Sequence, residues 1–264
     1  MFLMIITIFV LSLFGGLCSG LLGVGGAVVL IPLMVSVPPL VGAGALTMNQ
    51  VAGLTMIQVL ASAITGWITH RKGGFTHTRT ILSIGIPLGV FSLLGAVLSK
   101  YMPGEVLTVV FGVVVLIALL LLVQSADARA RGNDDQGEFH FLPLRFGLTG
   151  AITGMASGIL GAGGGFVLIP AMIRILDLPV RIAVGSSLGI IFIGALAGSV
   201  GKIVTLQVEW IYVPSLLLGA IPASILGSRL SHRLPAAHLR TLLMILIGII
   251  LIKTWAEILF KYIG

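Results

Sequence analysis

The chain has 264 residues, 58% of them hydrophobic and 9% charged, with a formal net charge of +7 and a mean hydropathy of +1.20. Soluble domains carry roughly a quarter of their residues as charged side chains, so this composition excludes one: too few polar groups exist to cover a water-facing surface. The positive excess would suit nucleic acid in a soluble protein, but here the bases cluster between apolar segments, where they set membrane orientation. No nucleic-acid partner is expected.

Apolar stretches recur at about 2–35, 40–69, 80–99, 104–123, 143–176, 180–201, 208–230 and 238–260, and about 20 such residues cross a bilayer. The first, opening MFLMIITIFVLSLFGG, has no basic n-region and no small-residue cleavage site, so it reads as a retained segment. Inside it lies GGLCSGLLGVGGAVVLIP at 15–32. About a dozen apolar residues precede this glycine cluster and about nine follow it, each near half a bilayer at about 1.5 Å per residue, which predicts a hairpin that enters, turns and returns. Cys18 is the single cysteine and permits no intrachain disulfide.

The second stretch carries Thr47, Asn49, Gln50, Thr55, Gln58, Ser62 and Thr65. Helical spacing places Gln50, Gln58 and Thr65 on one face, with Thr47 and Asn49 near its start. The basic connector HRKGGFTHTR follows, then two further apolar stretches. The long connector at 124–142 holds half of the acidic residues. It divides the chain into a first transmembrane repeat, 1–123, a cytoplasmic linker, 124–142, and a second repeat, 143–264.

The second repeat opens as the first does. TGMASGILGAGGGFVLIP at 153–170 matches the first glycine motif, and from Gly16 to Pro32 eleven of seventeen positions recur 138 residues later. LLGAVLSKYMP at 93–103 lies over ILGSRLSHRLP at 225–235, an offset of 132. Between these matches, Pro179 is set against Pro39 and GSSL at 185–188 over ALTM at 45–48, pairing Ser187 with Thr47 and putting Ser186 beside it. Two matches in the same order indicate duplication, and duplicated halves build many secondary transporters. If the first stretch of each half is a hairpin, eleven Lys and Arg fall inside and only Lys100, Lys202, Lys253 and Lys261 lie on or toward the outside. Eight simple crossings would divide them nine to six, a poorer fit to the charge rule. The fold expected is an all-α polytopic membrane protein of two inverted repeats with glycine-broken first segments and about eight hydrophobic segments.

Glycine runs interrupt a helix at membrane depth, which hydrocarbon tolerates only where the freed N–H and C=O groups face protein, a cavity or a ligand. A helix restarting after the break points its N-terminal amides back at the gap, where they attract anions without a basic side chain. The candidate binding residues are therefore Ser19, Gly23, Gly25 and Gly26 with Ser157, Gly161, Gly163 and Gly164, joined by the neutral donors Thr47, Asn49, Gln50, Gln58, Ser186 and Ser187. Close helix packing through small residues explains the same glycines, and interhelical bonding the same polar residues. Charged residues fall at segment edges, and no metal-ligand cluster or nucleophile with a neighbouring base appears. An enzyme, a metal site and a cofactor are not expected.

On the strength of residues 15–32, 153–170 and AVGSSLGI at 183–190, the chain resembles the TauE/SafE sulfite exporter family, which includes permeases of the sulfite and 4-toluene sulfonate kind. The resemblance covers nearly the whole chain. It implies transport of small sulfur-containing anions, such as sulfite, organosulfonates or sulfoacetate, across the prokaryotic cytoplasmic membrane, with lipid as surroundings. ALTMN in the first half departs from the family's usual small-Thr-Ser-Leu pattern, so the general class of anion transporter is carried over more directly than sulfite itself. An anion channel, or transport of another small organic anion, stays open, as do proton or sodium coupling and a homodimer.

Overall fold

The computed structural model describes residues 1–71, 77–130, 142–178, 180–231, 234 and 236–263. Residues 72–76 of the basic connector, most of the 124–142 linker and Pro179 lie outside them. In hydrocarbon every backbone polar group must be satisfied within the protein, and among the described residues the apolar stretches are all helical. They form α1 (Phe2–Leu22), α2 (Ala27–Leu40), α3 (Met48–Arg71), α4 (Thr78–Leu98), α5 (Gly104–Ala130), α6 (Pro143–Leu160), α7 (Gly165–Arg174), α8 (Val180–Val204), α9 (Val213–Ser231) and α10 (Ala236–Ile263). Six helices are long and apolar enough to cross a membrane: α1, α3, α4, α5, α8 and α9 with the short turn before it. Helices α2 and α7, with 14 and 10 residues, reach only about 21 and 15 Å at about 1.5 Å per residue. Exposed apolar stripes such as Leu82, Ile86 and Val90 on α4 suit contact with lipid.

The eight apolar stretches thus resolve into ten described helices, because the first of each half breaks at its glycines. The break lies later than expected. Helix α1 keeps 21 residues, long enough to cross, and Gly15, Gly16 and Gly20 stay within it. Their work is close approach: a Cβ at Gly16 would lie 2.5 Å from the Ala220 carbonyl oxygen of α9, and one at Gly20 would strike the Ser224 carbonyl. Helix α5 also runs past its predicted end, taking in the start of the linker as far as Ala130.

The two halves grip each other. Helix α1 packs on α9, and α6 packs on α4, the equivalent helix of the other half, while α3 and α8 cross at the centre. The correspondence holds residue by residue. Gly20 abuts Ser224 and Ser228, as Gly158 abuts Ser92 and Ala96; Gly227 abuts Leu17 and Leu21, as Gly95 abuts Met155 and Ile159. These pairs differ by 138 residues along α1 and α6 and by 132 along α4 and α9, so exchanging the halves leaves the contacts unchanged. Apolar helices in lipid gain little from burial, and small residues that let backbones meet supply the packing instead.

Candidate functional site

Each glycine turn is built from left-handed backbone. Gly23, Gly25 and Gly26 have φ of 71, 80 and 75°, and Gly161, Gly163 and Gly164 have 70, 64 and 69°. An L-residue with a side chain pays roughly 1–2 kcal/mol at such a dihedral, and six in two short turns explain why the motif tolerates only glycine there. Gly23 ends α1, its amide donating to the Ser19 carbonyl at 2.9 Å, and Gly161 ends α6 on the Ser157 carbonyl. Gly26 and Gly164 then start α2 and α7.

The turns meet at the middle of the molecule. A Cβ at Gly25 would lie 3.1 Å from Val59 Cγ1 and 3.6 Å from Ile191 Cγ2; one at Gly163 would strike the same Val59 methyl and lie 3.3 Å from the same Ile191 methyl. Val59 of α3 and Ile191 of α8 are 132 residues apart, and both are fully buried. A Cβ at Gly165 would come within 2.5 Å of the Val24 carbonyl, so the turns also touch directly. Each is pinned by a hydroxyl from the central helix of the other half. Thr55 Oγ1 donates to the Gly161 carbonyl at 2.9 Å, and Ser187 Oγ lies 3.0 Å from the Gly23 carbonyl.

That pair corrects the expected alignment. Ser187 corresponds to Thr55, not to Thr47, at the 132 offset already present in the 93–103 match. The signal was available: at that offset Gly53 falls on Gly185, Ala63 on Ala195 and Gly66 on Gly198. Thr55, named among the polar residues of the second stretch but not among the candidate binding residues, is the one that pins the second turn.

Three kinds of donor collect around the turns. Among the described residues, the amides of Gly25, Gly26, Ala27 and Val28, and of Gly163, Gly164, Gly165 and Phe166, make no backbone hydrogen bond; they are the orphan donors of two helix starts. Ser19 and Ser157, equivalent residues 0% and 1% exposed, carry hydroxyls with no partner. Ser157 Oγ faces the second turn, 3.5 Å from where a Gly164 Cβ would lie. Gln58 is fully buried; its Nε2 donates to Ser62 Oγ at 3.1 Å and lies 3.1 Å from a Cβ placed at Gly26, while its Oε1 is unpartnered. Helix-start amides carry partial positive charge, so the chemistry offered is neutral donation toward an anion. Among the described residues no group of three or more His, Cys, Asp or Glu is placed to hold a metal.

The remaining predicted residues lie elsewhere. Thr47 and Gln50 cap α3: Gln50 Oε1 accepts from the Thr47 amide at 2.9 Å, and Thr47 Oγ1 accepts from the Gln50 amide at 3.3 Å. This is a capping box, and Gln50 Nε2 is turned outward to Glu209 at 2.7 Å. Thr47 and Asn49 line an open recess of about 530 Å³ with Val35, Gly104, Glu105 and Thr108. Eight residues separate Gln50 from Gln58, about 12 Å along the helix, so the polar face predicted as one surface serves two places. Ser186 accepts from the His77 amide at 3.1 Å, holding the start of α4 against α8.

The sequence puts Lys202 on or toward the outer side but does not show whether it is exposed. It is fully buried near the end of α8, where Nζ donates to Ser99 Oγ at 2.6 Å, Gln207 Oε1 at 3.0 Å and the Ile159 carbonyl at 3.3 Å. Position in a sequence says how near a residue is to a helix end; it does not say what covers that end, and here α4 and α6 cover it.

Comparison with known proteins agrees with this architecture. The family described as sulfite exporter TauE/SafE matches residues 8–254. A probable membrane transporter protein of Bacillus subtilis is 26% identical over 96% of each chain. Another, of Xylella fastidiosa strain Temecula1, is 29% identical over 92% of this chain and 93% of its own. One of Methanocaldococcus jannaschii is 26% identical over 89% of each. No solved structure matches. A duplicated, all-helical, multi-pass chain with two buried glycine turns, matched over nearly its whole length, belongs to the sulfite exporter TauE/SafE family of membrane transporters.

Proposed function

We propose that the protein is a secondary transporter of small sulfur-containing anions, sulfite or organosulfonates, across the prokaryotic cytoplasmic membrane, with the anion held between the glycine turns. The observation that carries this reading is the convergence of unpartnered helix-start amides with the buried, unpartnered Ser19 and Ser157 hydroxyls. Donors without partners are costly inside a protein, roughly 1–3 kcal/mol each. A small oxyanion, with several acceptor oxygens and a charge that favours helix starts, repays that cost when bound. The family's description supports the sulfur oxyanion class.

The halves are read as inverted. Each half has a hairpin, α1–α2 or α6–α7, followed by three helices, an odd number of crossings where the hairpin enters and returns. With buried Lys202 set aside, the eleven-to-three division of Lys and Arg fits both chain ends on the outer side. Alternating access then follows from rocking one half against the other about Val59 and Ile191. The contacts that exchange between halves are made largely through glycine, whose packing lets helices slide without bulky side chains interlocking.

The test is uptake into liposomes with a panel of sulfite, sulfate, thiosulfate, sulfoacetate and taurine, with and without a proton or sodium gradient. Saturable flux with counterflow is expected for sulfite or a sulfonate. Non-saturating flux without counterflow would make the protein a channel, and flux of none of the panel would remove the substrate class. Single cysteines introduced at 70–79 and at 229–238 should be labelled from the same side; labelling from opposite sides would refute the inversion.

A further inference from the structure

At the seam where α4, α6 and α8 meet, the buried hydroxyls of Ser92, Ser157 and Ser199 have no hydrogen-bond partner among the described residues. Each of these serines is 2% exposed or less. Ser157 borders the second glycine turn. Ser92 Oγ lies 2.5 Å from where a Cβ of Gly198 would stand on α8. One turn beyond Gly198 on α8 is Lys202, and seven residues beyond Ser92, just past the end of α4, is Ser99, its partner. The seam then reaches the open recess, because Asn49, which lines that recess, donates from Nδ2 to the Ser99 carbonyl at 3.4 Å. Polar groups are thus spaced from the recess to the glycine turn, and the charged group buried among them is the Lys202 ammonium.

That charge has no opposite. Among the described residues Lys202 makes no ion pair. Nor is the ammonium needed to satisfy its neighbours. Without it the single Ser99 hydroxyl proton can go to Gln207 Oε1 at 3.2 Å, since the other acceptor in its reach, the Ala96 carbonyl at 2.7 Å, is also met by Gln207 Nε2. Gln207 Nε2 already has Thr205 Oγ1 at 2.7 Å and the Ala96 carbonyl at 3.2 Å. The carbonyl end of α6, at Ile159, offsets part of the charge, about half a unit. A buried cation costs several kcal/mol when unpaired, and in membrane segments such groups mark ion pathways.

We infer that Lys202 is an anion-coordinating station on the transport path, set between the recess and the second glycine turn, and that its ligand is a small oxyanion of the sulfite or alkylsulfonate class. This rests on the reading of the glycine turns as an anion site. Lys202 supplies the full charge that admits anions and excludes cations, and the neutral turns receive the ion without an ion pair too strong to release it. The first half has no second copy of this station, since position 70, the equivalent at the 132 offset, is a histidine.

The experiment is equilibrium binding of sulfite and of methanesulfonate to the full chain in detergent, for the wild type, Lys202→Met, Lys202→Gln, Lys202→Arg and Gly163→Val, with the ligand-free melting temperature of each. The expected result is at least a tenfold loss of affinity in Lys202→Met and Lys202→Gln, most of the affinity kept in Lys202→Arg, and melting temperatures of the neutral variants no lower than the wild type's. Wild-type affinity in Lys202→Gln overturns the inference. So does failure of both neutral variants to fold while Lys202→Arg folds, which would make the ammonium a clasp between helices. If Gly163→Val loses binding and Lys202→Gln keeps it, only Lys202 is misassigned; if the wild type binds neither anion, the glycine-turn reading falls as well.

Discussion

The two halves present the same turn on different walls. Around Gly23–Gly26 and Gly161–Gly164 the left-handed dihedrals, the pinning hydroxyl from the opposite central helix and the unpartnered serine before the turn are repeated position for position. The lining is not repeated. Where α3 places Gln58 against the first turn, the equivalent of α8 is Ile190, and where α8 places Lys202 at the end of its seam, α3 has His70. Backbone geometry was therefore kept through the duplication while side-chain polarity diverged. On the proposed alternating-access reading, the shared backbone supplies matching mechanics in the two halves, and the divergent lining gives the anion a different medium on each side.

The largest effect expected is on the shared element. Gly25→Val and Gly163→Val should each abolish flux, because a β-branched residue is strained at positive φ and its methyls enter the space of Val59. Gly163→Val should also lower the yield of monodisperse protein more than Gly25→Val, since a Cβ at 163 strikes Val59 whereas one at 25 stands 3.1 Å away. Flux above half the parent level in both variants would reduce the turns to packing material.

A smaller effect comes from making the lining symmetrical. Gln58→Ile copies the second half onto the first. It should weaken anion binding about tenfold, a buried donor to a charged ligand being worth roughly 1.5–3 kcal/mol. Thermal stability should not fall, because the unpartnered Oε1 leaves with it. Unchanged affinity, read by titration calorimetry, would place the anion away from the first turn.

The smallest effect belongs to the start of α3. Gln50→Ala removes a capping box and should cost about 0.5–2 kcal/mol of stability, visible as a lower melting temperature with affinity for sulfite unchanged. A tenfold loss of affinity at constant melting temperature would return Gln50 to the binding surface and extend the site to the recess.

Membrane insertion, helicity, duplication and the presence of a glycine turn in each half follow from the sequence itself, though not the residue at which the first turn begins. In hydrocarbon those properties are decided by composition and backbone satisfaction, which are local, and a twice-repeated motif reports its own importance. Even the equivalence of Thr55 and Ser187 was latent in the 132 offset. Tertiary structure decided the rest, because it depends on which helix covers which. Helix α1 continues past Gly16 and Gly20 because α9 comes close enough to use them. Gln50 and Gln58, neighbours on a helical wheel, part company because α3 starts at the recess and crosses the core only later. Lys202, two residues from a helix end and so peripheral by count, is buried because α4 and α6 end beside it. Burial is a property of pairs of helices far apart in sequence, and no periodicity within one of them records it.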